Sequence, residues 1–465
     1  MRYACFVVSY CLLCLFFSCN KSFSPAPDEK LAPFDLGKGI WGYTDKMSYS
    51  PGDSIHIFLG SDTLLLNQNI PFSDINGNII FSVKTDVKKQ GIQNEKPWQN
   101  GFGLIENYAL LVPANLKSGI YLINQQIPVV IKSASKKADI TIVYPSNTAN
   151  AYSNMGGKSF YEPASPDLRY IAHELSFQRP QTLDFFSQYF LAWFCTLPGY
   201  SVQYIADIDL DDYSAFAGSR LLIIPGHSEY WTRKARTNFD HFVNTGHNAL
   251  VLSGNTMWWQ IRYSDDKTKE ICYKDINLDK DTVSDKSLTT TLWNKPLLKY
   301  PIINSIGGSY DYAGEVDLSI KSGETNVSSA FHGYKIVQPS SPLLEGTGLK
   351  KGSVIHFDTH EYDGISLQWN KASSSIQYNR SLLPNTRQYK YEVIGYDSLS
   401  APASNGNFSA AVLLVYQPNP QSGTIVNSCT TNWCAYNGMG YQDGDKIKKI
   451  TINAIEKSLA GKSLF

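Results

Sequence analysis

Two short stretches carry the residue types that acid–base or metal chemistry needs. Pro225-Gly226-His227-Ser228-Glu229-Tyr230-Trp231 sets an imidazole, a carboxylate and a phenol side by side. His227 and Glu229 suit an acid and a base, or pair with each other, and Tyr230 suits a hydrogen-bond donor or a phenolate metal ligand. Ser253-Gly254-Asn255-Thr256-Met257-Trp258-Trp259, with Arg262 just beyond, adds amide, indole and guanidinium groups for holding a ligand. Three further polar sets join them: Tyr152, Asn154 and Lys158; Asp207 with Asp209, Asp207 being a third acid–base candidate; and Asn432 with Trp433. Singly, each has an ordinary role, such as a histidine capping a loop, a core tryptophan, or Arg262 paired with Asp265. Their joint placement is what points to a site.

That placement follows from the elements around them. Leu221 to Ile224 is a short apolar run with the character of a buried strand. A helix is expected next, with Thr232 as N-cap, Ala235, Phe239, Phe242 and Val243 at helical spacing, and Gly246 at the C-terminal cap. Ala249 to Leu252 is the next strand. A strand–helix–strand unit of this kind is a parallel crossover, so both loops leave the carboxyl ends of neighbouring strands, the edge where open α/β sheets bind ligands. Ile140 to Tyr144 reads as the first strand of the same sheet. A helix around Leu183 to Cys195 and a strand at Val202 to Ala206 follow it. Strands at Ala411 to Tyr416 and Gly423 to Asn427 come later, then a closing helix with Ile447, Ile450, Ala454, Ile455 and Leu459 on one face.

Several chemistries are disfavoured. No G-x-S-x-G elbow is present for a serine nucleophile. Gly156-Gly157-Lys158-Ser159 imitates the end of a phosphate loop, but its first glycine would fall at Tyr152. Lys+Arg 41 against Asp+Glu 41 leaves net charge near zero, which argues against nucleic acid as a partner. The run His356-Phe357-Asp358-Thr359-His360-Glu361-Tyr362-Asp363, if a strand, places His356, Asp358 and His360 on one face and Glu361 with Asp363 on the other. Such a face suits a divalent metal or, without remote ligands, simply solvent.

Arg2 and the apolar run Ala4 to Phe17 read as a targeting segment too short to span a bilayer. Ser18-Cys19-Asn20-Lys21 looks like a bacterial lipoprotein cleavage site, although Phe16 and Phe17 replace the usual small residues. Cys19 would then carry lipid and tie the protein to a membrane of the cell envelope. Cys5, Cys11, Cys14 and Cys19 belong to that segment, leaving Cys195, Cys272, Cys429 and Cys434, of which the last two have the spacing of a local bridge. The expected organisation is a signal peptide over 1–18, a tether over 19–35, and a sandwich of short alternating strands over 36–135. An α/β domain over 136–465 follows, with an inserted β/loop region over about 271–379.

Beyond these local signals, an ordered set of motifs resembles the large (beta) subunit family of N,N-dimethylformamidase: GYTDK-x-SY, SGIY, AYSNMGGKSFY, SFQRP, GYSVQYIADIDL, PGHSEYW, SGNTMWWQIR and GTIVNSCTTNW. The resemblance implies an immunoglobulin-like β-sandwich followed by an amidotransferase-like α/β domain with a parallel sheet. Where such a fold would place a cysteine nucleophile, the turn reads Ser253-Gly254-Asn255-Thr256. The resemblance also implies a mononuclear iron, held by tyrosines and a glutamate, that activates water to cleave a small amide or related C–N bond. Matched residue by residue, Tyr230 is the tyrosine of the EYW loop, Glu361 corresponds to the family glutamate, and Trp258 stands where a second tyrosine is common. Indole does not ligate iron, so an intact centre would need a replacement such as His227 or His360. The alternative is a catalytically inactive surface protein that holds a glycan or other small ligand in the same pocket, with Trp258, Trp259 and Trp433 as its walls.

Overall fold

Continuous apolar runs bounded by polar turns make the strands of the main sheet. The structure, a computed structural model, describes residues 31–465 except 136, 166, 280–283, 316–330, 371–374, 379–389 and 399–406. The expected signal peptide, Cys19 and most of the tether lie outside the described residues. The architecture is mixed α/β and rich in strands.

The main sheet has twelve strands. We label those that matter here β1 (Ile140–Tyr144), β2 (Val202–Ala206), β3 (Leu221–His227), β4 (Asn248–Gly254), β5 (Glu361–Asn370), β6 (Lys390–Ser398), β7 (Asn407–Gln417) and β8 (Ile425–Asn427). Along the sheet the order is β2-β1-β3-β4-β8-β7-β6. The first five of these are mutually parallel, and β7 and β6 then run antiparallel. The chain leaves β1 toward β2 on one side and returns to β3 on the other, so their exit loops part at this point and open a crevice. β5 pairs with the first half of β7, beside the edge where β8 ends, and Tyr362 bridges to Thr430. This pairing delivers the start of β5 to the carboxyl edge of the parallel strands.

The helices are α1 (Ser146–Tyr152), α2 (Phe185–Phe194), α3 (Arg233–Asn244) and α4 (Gly444–Leu459). Thr232 caps α3 as its residue type predicts, its hydroxyl accepting from the Ala235 N–H at 2.9 Å. Ala235, Phe239, Phe242 and Val243 are the buried face, and Gly246 has φ +98°. Asp184 caps α2 in the same way, accepting from Ser187 N at 2.7 Å. Ile447, Ile450, Ala454 and Ile455 of α4 join the core against the sheet.

Ahead of the sheet, a three-stranded and a five-stranded sheet enclose a second core that includes Ile55, Ile57, Phe72 and Val129. The unit abuts β2, where Tyr204 N donates to Ser118 Oγ at 2.8 Å, and Lys132 pairs with Asp209 at 2.9 Å. One expectation is corrected. Residues 356–360 are not a strand, because backbone donors there go to side chains: His356 N to Asp443 and His360 N to Asn432. Pairing begins at Glu361, so His356, Asp358 and His360 do not share a pleated face. Cys429 and Cys434 are buried and unbonded.

Gly226 is required twice over. Its φ is +80°, and a Cβ would lie 2.8 Å from Ser187 N and 3.0 Å from the capping carboxylate of Asp184. Gly226→Ala is expected to cost about 2–3 kcal/mol through strain and a forced shift of α2. Thr232→Ala, which removes only a cap, is expected to cost about 1 kcal/mol. Calorimetric melting of the two variants checks the order: an equal or smaller loss for Gly226→Ala contradicts the close approach.

Candidate functional site

The crevice between β1 and β3 is lined from both sides. From β1 the chain enters α1, whose residues Ser146 to Ala151 are almost all buried and whose last residue is Tyr152. From β3 it passes His227, Ser228 and Glu229, all at least 98% buried, into a short strand Tyr230–Thr232. Backbone and side-chain bonds clamp the two loops noted in the sequence. Glu229 N donates to Thr148 Oγ1 at 2.9 Å, Ser228 N to Ser253 Oγ at 3.1 Å, and Met257 N to Ser228 O at 2.9 Å.

Glu229 is the focus. Tyr152 OH donates to its Oε2 at 2.9 Å and Tyr161 OH to its Oε1 at 2.7 Å, the two phenol rings stacking at 4.4 Å. His227 Nε2 lies 3.4 Å from Glu229 Oε2 and 2.9 Å from Glu361 Oε2, an ion pair with both. Asn255 Nδ2 donates to Glu361 Oε2 at 3.1 Å, and Thr431 Oγ1 accepts from Glu361 N at 3.2 Å. Five separate segments thus meet at two carboxylates.

Burial dominates the electrostatics. It pushes the Glu229 carboxyl above its usual range against the pull of His227. It pulls the His227 imidazole down, but Glu361 and then Glu229 together outweigh it and carry the group to about 9. Glu361, also pushed up by burial, ends below the ordinary carboxylate value because His227 faces it. Desolvation, followed by Glu229, holds both phenols protonated well past their normal range. Lys274 Nζ sits 3.4 Å from the centre of the Tyr161 ring and 4.8 Å from that of Trp259, and burial lowers it to about 8. The cluster therefore holds an imidazolium beside paired carboxylates and protonated phenols.

Of the residues singled out in the sequence, the fold gathers His227, Glu229, Tyr152, Asn255 and Glu361. Tyr230 stands beside them, its buried ring 5.5 Å from that of Phe160 and 6.5 Å from that of Tyr161. Asp207 accepts from Asn147 N at 2.9 Å and so steadies the start of α1, and burial raises its carboxyl to about 8. Asn432 accepts from His360 N at 2.9 Å, and so holds the loop before Glu361. Asn154 lies at the rim and donates to Pro33 O at 2.9 Å, beside the bond from Ala32 N to Gly157 O at 2.8 Å. Lys158 is buried over the Trp98 ring.

Three others stand apart from the cluster. Arg262 grips Asp279 through two nitrogens at 2.6 and 3.1 Å. Trp258 packs on Tyr310 at 5.0 Å. Trp433 is core, donating to Thr451 Oγ1 at 3.0 Å. Tyr161, Thr148, Phe186 and Lys274 were not anticipated. Tyr161 had a signal: Gly156 and Gly157, at φ +91° and +102°, fold AYSNMGGKSFY back on itself, and Phe160 N reaches Ala151 O at 3.0 Å.

A cavity of about 340 Å³ opens from Tyr152 and His227 toward the surface, past Asn154, Met155 and Phe186. Among the described residues no group of three or more His, Cys, Asp or Glu is arranged to hold a metal ion.

No curated protein matches the chain. Residues 82–445, well over half of the 465, match the family described as N,N-dimethylformamidase beta subunit-like, C-terminal. The chain belongs to the N,N-dimethylformamidase beta subunit-like family.

Proposed function

We propose that the protein hydrolyses the C–N bond of a neutral amide with metal-activated water, the ion being held by Tyr152, Tyr161 and Glu229. One observation carries this reading: two phenols from one folded-back loop donate to the two oxygens of one buried carboxylate. A cation seated among these oxygens would replace the two phenolic protons, leaving two phenolates and a carboxylate, a hard-oxygen set that fits iron. When bound, such an ion supplies Lewis acidity that makes water a nucleophile at neutral pH. The remaining work falls to the chain's own groups. His227, kept as imidazolium by Glu361 and lining the cavity, is in this reading the acid that gives a proton to the leaving nitrogen of the amide, its Nε2 facing the two carboxylates. Asn255 keeps Glu361 turned to His227, and the Phe186 ring, 5.4 Å from the imidazole, shields the pair from water. Tyr230, the ligand suggested by the EYW motif, serves in this reading as wall rather than first donor.

We further read the N-terminal sandwich, about residues 36–135, as an immunoglobulin-like support, the α/β region as amidotransferase-like, and the protein as tethered to the cell envelope through Cys19. The last point stands on the sequence pattern alone.

Elemental analysis of protein lacking residues 1–19, purified without chelator or histidine tag, is expected to find near-stoichiometric iron or zinc. Tyr152→Phe, Tyr161→Phe and Glu229→Gln should each reduce metal content at least tenfold, and Tyr230→Phe should retain most of it. No metal even after reconstitution would sink the proposal and leave an inactive ligand-binding protein. If metal is bound, His227→Gln is expected to keep it while lowering kcat on dimethylformamide about 10²–10⁴-fold, the range of a lost general acid. Unchanged kcat would remove His227 from the chemistry.

A further inference from the structure

We infer that the amide taken by this site carries an aromatic ring, seated against Phe185 at the cavity mouth. Only the word amide rests on the function proposed above; the ring subsite rests on the cavity itself. A volume of about 340 Å³ falls in the range of pockets that enclose drug-sized ligands, roughly 300–1,000 Å³. Dimethylformamide, with two methyl groups, would leave most of it to water. What fills the rest is set by the walls, and those walls are apolar at the mouth.

Phe185 is the first residue of α2 and is 62% exposed, yet it lines the cavity. A single exposed phenylalanine means little by itself. This one is continuous with a row of rings: it meets Phe186 edge to face at 5.4 Å and 83°, and Phe186 in turn meets His227 at 5.4 Å. Met155 and Leu183 extend the same lining, and the partly exposed Tyr152 forms part of the wall that leads to Glu229. The row leads from solvent to the reacting groups. A flat ring held at its outer end would place an attached amide toward Tyr152 and His227, with the edge-to-face geometry that aromatic pairs favour.

Charge restricts the ligand further. Among the described residues, the only charged side chains lining the cavity are Asp184 and His227. Asp184 is committed to capping α2 through Ser187 N, and His227 to Glu361 and Glu229. Both are already engaged, which favours a neutral ligand over a charged one. The polar rim groups are Ser153, Thr182 and Asn154, whose amide nitrogen already donates to Pro33 O, so the rings present the larger face and favour an aryl group over a sugar.

The test measures binding by rapid-mixing fluorescence, before turnover accumulates, on the protein as purified. The probes are formanilide, dimethylformamide and N-acetylglucosamine. Formanilide is expected to bind at least tenfold tighter than either other probe. Phe185→Ala should weaken formanilide fivefold or more, while Phe185→Trp, which keeps a ring, should not; the exposure of Phe185 makes loss of folding a poor explanation for the difference. Equal affinities, tighter binding of N-acetylglucosamine, or an unaffected Phe185→Ala variant overturns the inference. Hydrolysis of dimethylformamide without any preference for formanilide would sink the ring subsite and leave the hydrolase reading. Tight formanilide binding by a metal-loaded protein that cleaves no amide would do the reverse.

Discussion

A carboxylate removed from water must be met by donors or by positive charge, and Glu229 is where this molecule faces that requirement. Its partners come from distant parts of the chain: two phenols after β1, an imidazole at the end of β3, and behind the imidazole a second carboxylate at the start of β5. Each offsets part of the cost of burying the others. The site is therefore less a set of independent side chains than one buried charge arrangement, and the sheet order is the means of assembling it.

The sheet does so by parting its connections between β1 and β3 and by running β5 against β7 beside the end of β8. The first gives the phenols and the imidazole a shared crevice. The second brings in Glu361, which neither β1 nor β3 could reach. Gly226 lets the end of β3 pass closely beneath α2, and that approach brings Phe186 against His227. Packing distance at a single residue and the shielding of the imidazole are in this sense one constraint.

Much of the scaffold was legible because its causes are local. Buried strands are continuous apolar runs, so β1, β3 and β4 could be read directly, with errors of a few residues at their ends. Thr232 announces a helix start by residue type alone. His227, Glu229 and Asn255 followed from where parallel strands end. What was not legible depends on contacts far apart in sequence. Tyr161 comes to Glu229 only because Gly156 and Gly157 reverse the loop. Lys274 reaches the Tyr161 ring from beyond the Trp259–Tyr263 strand. Arg262 and Trp433 have the residue types of a binding site but were claimed by Asp279 and by the core, and no spacing rule separates those outcomes. The His356–His360 run looked like a strand because alternation was visible and the side-chain acceptors of Asp443 and Asn432 were not.

The strap formed by residues 31–33 has a practical consequence. Ala32 and Pro33 are bonded to Gly157 and Asn154, the same reversed loop that carries Tyr152 and Tyr161 at its two ends. A boundary drawn at the first strand of the small sheets, which the strand pattern invites, would discard these few residues as linker. The resulting fragment would keep every strand and every group of the cluster while releasing the outer turn of the loop that holds both phenols.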